Sequence, residues 1–337
     1  PIARYVKEKG FDTYGLDSNP KAVEMARNAA IEKAVNFSQF DVFIICVSTH
    51  KPDDMFSPQI DGLLSIVEKI SKEAKNGALV SIESTIPKGT SKKVFEMLNH
   101  RLHVAHAPHR WYALEQEEHG VNQLRVLGGV CQCCLDVAME FYDGRMPAGK
   151  TEGAETDGIG LPTEFIDTDN VTNTNDTNDT NDTNDTNDTN NNDYNYNNVN
   201  EQQHGTADPD PHKKSLDIRM HAVPQIEIAE ITKIAENAHR YLQIAFAEDL
   251  YLYCQANNIN FAELRDALNT KWNVEILEPR EGIGGHCLPK DTKMFLQSSK
   301  AFKSKILTAA IKVDEDYRSY RQCKDNRITQ SPNPIRE

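Results

Sequence analysis

The residues with the clearest chemical potential form a glycine-rich turn in the C-terminal part of the chain. Residues 282–291 read Gly-Ile-Gly-Gly-His-Cys-Leu-Pro-Lys-Asp, so Cys287 lies three residues before Lys290 and four before Asp291. A cysteine attacks as the thiolate, and nearby cations and free backbone N–H groups lower a thiol pKa. Glycines allow a bulky ligand to approach the backbone, and a carboxylate at this spacing could orient a water molecule. We therefore predict a nucleophilic Cys287, with a structural cysteine in a tight turn as the common alternative.

A second set of candidate residues lies on one face of a long predicted helix. From residue 226 to about 257, apolar residues recur at intervals of three and four, which is the periodicity of an amphipathic helix. Lys233, Asn237 and Arg240 are spaced i, i+4 and i+7, so their side chains form one polar stripe. A solvated face is the usual explanation of such a stripe, and a substrate cleft is the alternative.

Three polar residues follow predicted strands in the N-terminal half. Helix and strand patterns alternate there, with a helix over residues 2–10 and strands over 13–16, 41–47 and 78–82. Asp17, Thr49 and Thr85 each come shortly after one of these strands, where a parallel sheet presents ligand-binding groups. An acidic residue at the tip of the second strand of a dinucleotide-binding fold holds ribose hydroxyls, so Asp17 is a candidate cofactor ligand. Ordinary turns are the alternative for all three.

Several ordered segments of the sequence resemble the UDP-glucose/GDP-mannose dehydrogenase family. They are the cysteine loop at 282–291, Ala-Glu-Ile-Thr-Lys-Ile-Ala-Glu-Asn at 229–237, Glu-Ser-Thr-Ile-Pro-Lys-Gly-Thr at 83–90 and Cys-Val-Ser-Thr-His-Lys-Pro at 46–52. The cysteine loop is most similar to the branch that acts on UDP-N-acetyl-D-mannosamine. The resemblance implies that NAD is the cofactor and that the primary alcohol of a UDP-sugar is oxidised to a carboxylate.

The resemblance also implies roles for individual residues. In the family, the residues matching Lys233 and Asn237 stabilise the alkoxide and hold a catalytic water, and the residue matching Thr85 lies beside the nicotinamide and a catalytic water. Cys287 would add to the aldehyde intermediate, and Asp291 would help to activate the water that hydrolyses the thioester.

Further residues are expected to bind the cofactor and the sugar nucleotide. Thr49 and Lys290 are expected near the cofactor, and Lys290 could also contact a substrate phosphate and lower the pKa of Cys287. Arg240, Gly284 and Gly285 are expected on the substrate side, together with the lysine of the helix stripe.

The sequence departs from the family pattern at one catalytic position. Family members have Pro-Glu-Arg or Pro-Glu-Phe where residues 108–110 read Pro-His-Arg, so His109 occupies the place of a glutamate that acts in water activation or proton transfer. Because an imidazole can act as a general base near neutral pH, we predict that His109 replaces this glutamate. A structural or substrate-contacting histidine is an equal alternative.

Two further departures concern the ends of the sequence. The family's Gly-x-Gly-x-x-Gly turn would come immediately before Pro1, so we expect a fragment that lacks the first strand and the pyrophosphate cradle. We also expect no counterpart of the family's third, nucleotide-sugar-binding domain, so either this subgroup has a shorter form or the C-terminus is incomplete as well.

Composition divides the chain into folded and low-complexity parts. Only 38% of the 337 residues are hydrophobic, and residues 172–193 are essentially an Asn-Asp-Thr repeat. Too few apolar residues surround this repeat to offset the entropy of ordering it, so residues 147–222 are predicted to be a disordered insertion. Asn-Asp-Thr matches the N-glycosylation acceptor, but the sequence has no signal peptide, and its seven cysteines have no regular spacing, which favours a reducing compartment.

Charge and cysteine spacing exclude several classes of partner. A formal net charge of −14 disfavours nucleic acid and anionic membranes. With no predicted transmembrane segment, the protein is expected to be cytoplasmic. Cys131, Cys133 and Cys134 lack two separated Cys-x-x-Cys pairs, so structural cysteines on a helix starting near Val130 are favoured and no metal is predicted.

Together these patterns predict an α/β protein. A doubly wound, parallel-sheet (Rossmann-type) domain that lacks its first strand would occupy residues 1–146. A mainly α-helical central domain, expected to form a homodimer, would occupy 223–320, and a polar tail 321–337. The favoured function is NAD-dependent oxidation of UDP-N-acetyl-D-mannosamine. Oxidation of UDP-glucose or UDP-N-acetylglucosamine and a non-catalytic dimerising remnant are the alternatives.

Overall fold

The computed structural model of this protein describes residues 1–51, 53–54, 57–110, 120–144 and 214–329, with side chains described as far as residue 324. These residues belong to one compact unit, which comprises residues 1–146 and 208–337. A second unit, residues 147–207, lies outside the described residues. The disorder predicted for residues 147–213 and the final part of the predicted polar tail lie outside them as well.

Helices and strands alternate in the first half of the chain, and helices predominate in the second. The elements are α1 (Ile2–Glu8), β1 (Tyr14–Gly15), α2 (Pro20–Asn28), β2 (Glu32–Lys33), β3 (Val42–Ile45), α3 (Asp61–Glu73), β4 (Leu79–Ile82), α4 (Thr90–Met97), β5 (His103–His106), β6 (Arg125–Gly129), α5 (Gln132–Tyr142), β7 (Met220–Val223), α6 (Ile226–Ala256), α7 (Phe261–Leu268), α8 (Cys287–Gln297) and α9 (Lys305–Thr329). Local capping fixes some of these boundaries. Asn19 begins α2 by accepting a hydrogen bond from the Lys21 N–H, and Asn260 caps α7 in the same way.

The strands form two sheets. The larger has the order β3-β4-β5-β6-β7, with β3, β4 and β5 parallel, β6 antiparallel to β5, and β7 parallel to β6. The smaller sheet is the parallel pair β1-β2. In the doubly wound order 3-2-1-4-5-6, the first strand would separate β1 from β3. No described residue forms a strand there, which agrees with the predicted Rossmann-type sheet without its first strand.

Helices cover both faces of the larger sheet, as its apolar strands require. Val80 and Ile82 of β4 pack in one core cluster with residues of α3 and α4. Leu79 of the same strand packs in the other cluster with residues of α5, and Val6 of α1 joins them. This two-sided burial explains why the strands read as nearly continuous apolar runs.

The predicted insertion ends earlier than the sequence analysis placed it. Strand β7 begins at Met220 and pairs with β6, so the boundary at residue 222 falls inside the sheet. Leu216 and Ile218 are fully buried, and their N–H groups donate to the Phe141 and Tyr142 carbonyls at 2.9 and 2.8 Å. Alternating burial of apolar residues from 216 to 220 provides the stabilisation that the neighbouring repeat lacks.

The helical part is centred on α6. This helix was predicted from residue 226 to about 257, which is confirmed, and it packs against α8 and α9. The last helix, α9, runs into the polar tail that was expected at residues 321–337. Arg318 stabilises this extension by pairing with Asp314 at 3.0 Å, and the Tyr320 hydroxyl donates to Gln255 at 3.1 Å. No helix among the described residues is long and apolar enough to cross a membrane.

Gly128 permits the close approach of α6 to the sheet. A Cβ atom at this position of β6 would lie 2.8 Å from the Ile226 Cα and 3.1 Å from the Ala229 Cβ. Because the first of these is a backbone atom at the start of α6, a rotamer change cannot relieve the clash.

We predict that Gly128→Ala destabilises the protein by about 1–3 kcal/mol through this overpacking. Gly62→Ala is the matched control, because a Cβ at Gly62 in α3 meets nothing within 4 Å, and alanine is the better helix former by up to about 1 kcal/mol. Urea unfolding followed by circular dichroism should give a lower midpoint for Gly128→Ala and an unchanged or higher one for Gly62→Ala. Equal midpoints for Gly128→Ala and the parent would contradict the packing argument.

Candidate active site

A buried polar network joins the cysteine loop to the sheet. Lys290 and Asp291 lie in the first turn and a half of α8 and are only 5% and 1% exposed. The Lys290 Nζ lies 2.9 Å from Asp291 Oδ1 and donates to the Thr49 hydroxyl at 3.0 Å. Asn237 Nδ2, on α6, donates to the other Asp291 oxygen. The network therefore brings together four predicted site residues from three separate parts of the chain.

Cys287 begins α8 at the edge of this network. Its side chain is exposed, and its Sγ lies 3.5 Å from the His286 Nε2. Partial loss of hydration and the nearby Asp291 carboxylate raise the pKa of the Cys287 thiol, and they outweigh the opposing charges of Lys290 and Lys233. The expectation that Lys290 lowers the pKa of Cys287 is therefore wrong in sign. Burial and the Asp291 carboxylate raise this pKa by more than the lysine lowers it. Attack by Cys287 accordingly requires a group that removes its proton.

Lys233 connects the cysteine to the end of the sheet. Lys233 is half-buried on α6, and its charge opposes the rise in the pKa of Cys287 and contributes to the lowering of the pKa of His109. Lys233 therefore lies within electrostatic range of both groups. A cation in this position can stabilise negative charge that develops on a bound oxygen.

His109 is held by a buried charged cluster. Its Nε2 lies 3.4 Å from a Glu83 oxygen, and its backbone N–H donates to the Glu83 carbonyl at 3.2 Å. Glu83 is already engaged by Arg125 at 3.1 Å and by the Tyr142 hydroxyl at 2.6 Å. Burial, reinforced by Arg125 and Lys233, lowers the pKa of His109 to about 3.

This low pKa changes the interpretation of His109. A neutral imidazole is present throughout the physiological range, but a group whose conjugate acid has so low a pKa accepts a proton weakly. This environment therefore favours a structural or substrate-contacting role for His109 over that of a general base. Sequence reasoning missed Glu83 and Arg125, although a glutamate directly after a buried strand is a signal that a partner charge is needed.

The two threonine loops lie side by side. Ile45 of β3 pairs with Ile82 of β4, so both loops leave the same edge of the sheet. The Val47 N–H donates to the Ser84 hydroxyl at 2.7 Å, which ties the loop of Thr49 to that of Thr85. Thr85 is half-buried beside this tie.

Other predicted residues lie outside the network. Asp17 is exposed after β1 and accepts a hydrogen bond from the Asn19 N–H at 2.8 Å, which forms an Asx turn. Arg240 is exposed and donates to Gln243 on its own helix at 3.3 Å. Gly284 and Gly285 are exposed in the cysteine loop, where an added Cβ would meet nothing within 4 Å. The loop is therefore open to a ligand at these two positions.

Known proteins resemble this chain in sequence and in fold. A UDP-N-acetyl-D-mannosamine dehydrogenase from Methanococcus maripaludis is 24% identical over 343 aligned positions, which cover 95% of this chain and 63% of that protein. One from Campylobacter jejuni is 25% identical, with 87% of this chain and 58% of that protein covered. A solved UDP-D-ManNAc dehydrogenase from Pyrococcus horikoshii has a TM-score of 0.65 at 21% identity and covers 95% of this chain and 66% of that one. The chain thus spans about three fifths of the length of these curated relatives.

Two family models match separate parts of the chain. Residues 4–144 match the NAD binding domain of the UDP-glucose/GDP-mannose dehydrogenase family. Residues 227–316 match the central domain of the same family. The first range contains both threonine loops and His109, and the second contains the α6 stripe and the cysteine loop. Because the two ranges follow the family order and together include most of the sequence, the chain belongs to the UDP-glucose/GDP-mannose dehydrogenase family.

Proposed function

We propose that this chain carries the oxidation site of a nucleotide-sugar dehydrogenase that converts the primary alcohol of UDP-N-acetyl-D-mannosamine to a carboxylate. The observation that supports it most strongly is the buried contact of Lys290 and Asp291 with Thr49 and Asn237. It places the cysteine loop against the edge of a sheet whose strand ends are suited to a dinucleotide. The choice of sugar is supported by the names of the curated relatives.

The residues at this edge fit a nicotinamide cofactor in part. Thr49 and Thr85, with Lys290, would contact it at the ends of β3 and β4, and Asp17 offers an exposed carboxylate for a ribose. Residues 1–337 contain no Gly-x-Gly-x-x-Gly turn to cradle the pyrophosphate. When bound, NAD supplies the acceptor for the hydride released in each of the two oxidations.

The chain's own residues would transfer protons and stabilise the negative charge that develops on the substrate oxygen. Asn237 and Asp291 would hold a water through which a base removes the proton of the sugar hydroxyl. Lys233 would stabilise the alkoxide and, later, the oxyanion of the thiohemiacetal. That adduct forms when the Cys287 sulfur bonds to the aldehyde carbon, and it becomes a thioester after the second oxidation. Water held by Asp291 then attacks the thioester carbon, releasing the carboxylate and regenerating the thiol.

Other features support binding and assembly. Gly284 and Gly285 leave room for the sugar, and Arg240 is free to reach a diphosphate by breaking only an exposed hydrogen bond to Gln243. The helical part exposes Phe246, Tyr253 and Trp272, which would suit a homodimer interface. The cytoplasmic location and the exclusion of nucleic acid as a partner stay predictions from composition.

Two alternatives share much of this site. UDP-glucose and UDP-N-acetylglucosamine carry the same primary alcohol as the proposed sugar. The residues assigned to the oxidation would therefore act on either of them. A non-catalytic dimerising chain is the second alternative, and it would be favoured by a failure to bind NAD.

Cys287→Ser should abolish the two-step oxidation. With UDP-N-acetyl-D-mannosamine and NAD, the parent chain should form two NADH per sugar, measured by absorbance, and the variant should be slower by at least about a hundredfold. Cys323→Ser, at an exposed cysteine of α9, is the matched control and should behave as the parent. No turnover with any of the three sugars, together with no NAD binding by calorimetry, would support the non-catalytic alternative instead.

Asp291→Asn should make Cys287 more reactive towards iodoacetamide even though it impairs turnover. The aspartate raises the thiol pKa, so removing its charge lowers that pKa and increases the thiolate fraction below it. Mass spectrometry of Cys287 labelling at pH 8 should show a rate increase of about threefold or more, and Lys233→Gln should give a decrease. Identical labelling–pH curves for the three proteins would refute this electrostatic account.

His109→Gln should retain turnover within about tenfold of the parent, because a side chain with a pKa of about 3 contributes little as a base at neutral pH. Glutamine preserves a polar group that can face Glu83. A loss beyond about a hundredfold, with the acidic limb of the pH profile changed, would restore His109 as the general base.

A further inference from the structure

A cluster of sulfur and nitrogen atoms lies at the edge of the sheet remote from the candidate active site. Strand β5 runs parallel to β4 and begins at His103, so this residue lies where the amino-terminal ends of these strands meet. His109 follows the opposite, carboxyl-terminal end of β5. The strand separates the two positions by at least about 10 Å. The catalytic arrangement described above uses none of the residues in this cluster.

Three cysteines converge at the start of α5. Cys131 is the N-cap residue, and its Sγ accepts a hydrogen bond from the Cys134 N–H at 3.4 Å. The same sulfur lies 2.6 Å from the Cys133 Sγ and 3.1 Å from the Cys134 Sγ. Cys134 is fully buried, and the other two are half-buried.

The fourth member comes from the neighbouring strand. A ring nitrogen of His103 and the sulfurs of Cys133 and Cys134 all lie within 4.8 Å of one another. His103 Nδ1 is buried and has no hydrogen-bond partner among the described residues. The Val104 N–H donates to the Cys134 Sγ at 3.4 Å, which holds the strand against the helix start.

The backbone around the cluster is closely packed. A Cβ at Gly129 would lie 2.8 Å from the Cys131 carbonyl oxygen and 2.7 Å from the Leu135 Cα. A larger residue would therefore separate β6 from α5 and move Cys131 away from the other sulfurs. Because Gly129 has no Cβ, the chain can turn closely into α5 and bring the three sulfurs together.

We propose that Cys131, Cys133, Cys134 and His103 form a binding site for a soft metal ion, with Zn²⁺ as the occupant. Three thiolates and one imidazole are a common tetrahedral donor set for zinc. With Zn–S bonds of about 2.3 Å, sulfurs in a tetrahedral site lie about 3.7 Å apart. Cys131 is not in the group that lies within 4.8 Å, so on binding its sulfur would move about 1 Å away from the Cys133 sulfur and towards His103.

Other uses of these residues account for less of the arrangement. A disulfide between Cys131 and Cys134 would use two sulfurs and leave Cys133 and the buried His103 nitrogen without a role. Purely structural cysteines, which the sequence favoured, give no reason for an unpaired imidazole beside them. A metal ion uses all four groups, and the N-terminus of α5 stabilises the single net negative charge of one Zn²⁺ with three thiolates.

The first test is zinc and cobalt binding by the full chain after anaerobic reduction and removal of the reductant. We expect one zinc per chain and, with Co²⁺, thiolate-to-metal charge transfer together with the intense d–d bands of a tetrahedral site. Cys133→Ser and His103→Asn should each weaken binding by at least about tenfold. Both positions are half-buried, so these variants are more suitable than changes at Cys134, and circular dichroism should verify their folds.

Cys287→Ser is the decisive control, because His286 and Cys287 could also bind zinc. This variant should bind one zinc with unchanged affinity, and zinc should protect Cys131 and Cys133 of the parent from iodoacetamide. The proposal fails if the parent binds no zinc, or if binding is lost in Cys287→Ser and kept in Cys133→Ser.

Discussion

The buried ion pair between Lys290 and Asp291 is the interaction on which the candidate site depends. Burying two charges is costly unless each is paired and hydrogen-bonded, and here Thr49 and Asn237 supply the additional bonds. Removing one partner of such a pair typically costs about 3–5 kcal/mol. These contacts fix the position of the cysteine loop against the sheet edge and against α6. The glycines of the loop itself do not supply this rigidity.

A second buried charge cluster performs a comparable task within the sheet. Glu83 and Arg125 are both inaccessible, and Tyr142 and His109 complete the surroundings of the glutamate. The position of His109 follows from this cluster, since both its ring and its backbone contact Glu83. Lys233 then connects the two clusters electrostatically, because its charge acts on the histidine at one end and on Cys287 at the other.

The sequence predicts the parts of this protein that depend on local patterns. The apolar runs at β3 and β4 and the helical periodicity of α6 give the right elements, because those segments bury whole faces. Strand β7 was missed because it has only four residues and borders a long polar segment. The direction of the Cys287 pKa shift and the burial of His109 depend on side chains that are distant in sequence, so spacing along the chain could not reveal them. The approach of His103 to Cys133 and Cys134 has the same origin.

The contact between Lys290 and Thr49 has a consequence for how the two matched family domains can vary. Lys290 lies in the range that matches the central domain and donates to Thr49 in the range that matches the NAD binding domain. Each range therefore loses a hydrogen-bond partner for a buried polar group when it is separated from the other. A chimera that exchanged one half for that of a distant relative would have to exchange the threonine, the asparagine and the Lys-Asp pair as a set. The two matched ranges thus depend on each other at this contact, and we expect a chimera of two parents to be stable only where both parents carry these four residues.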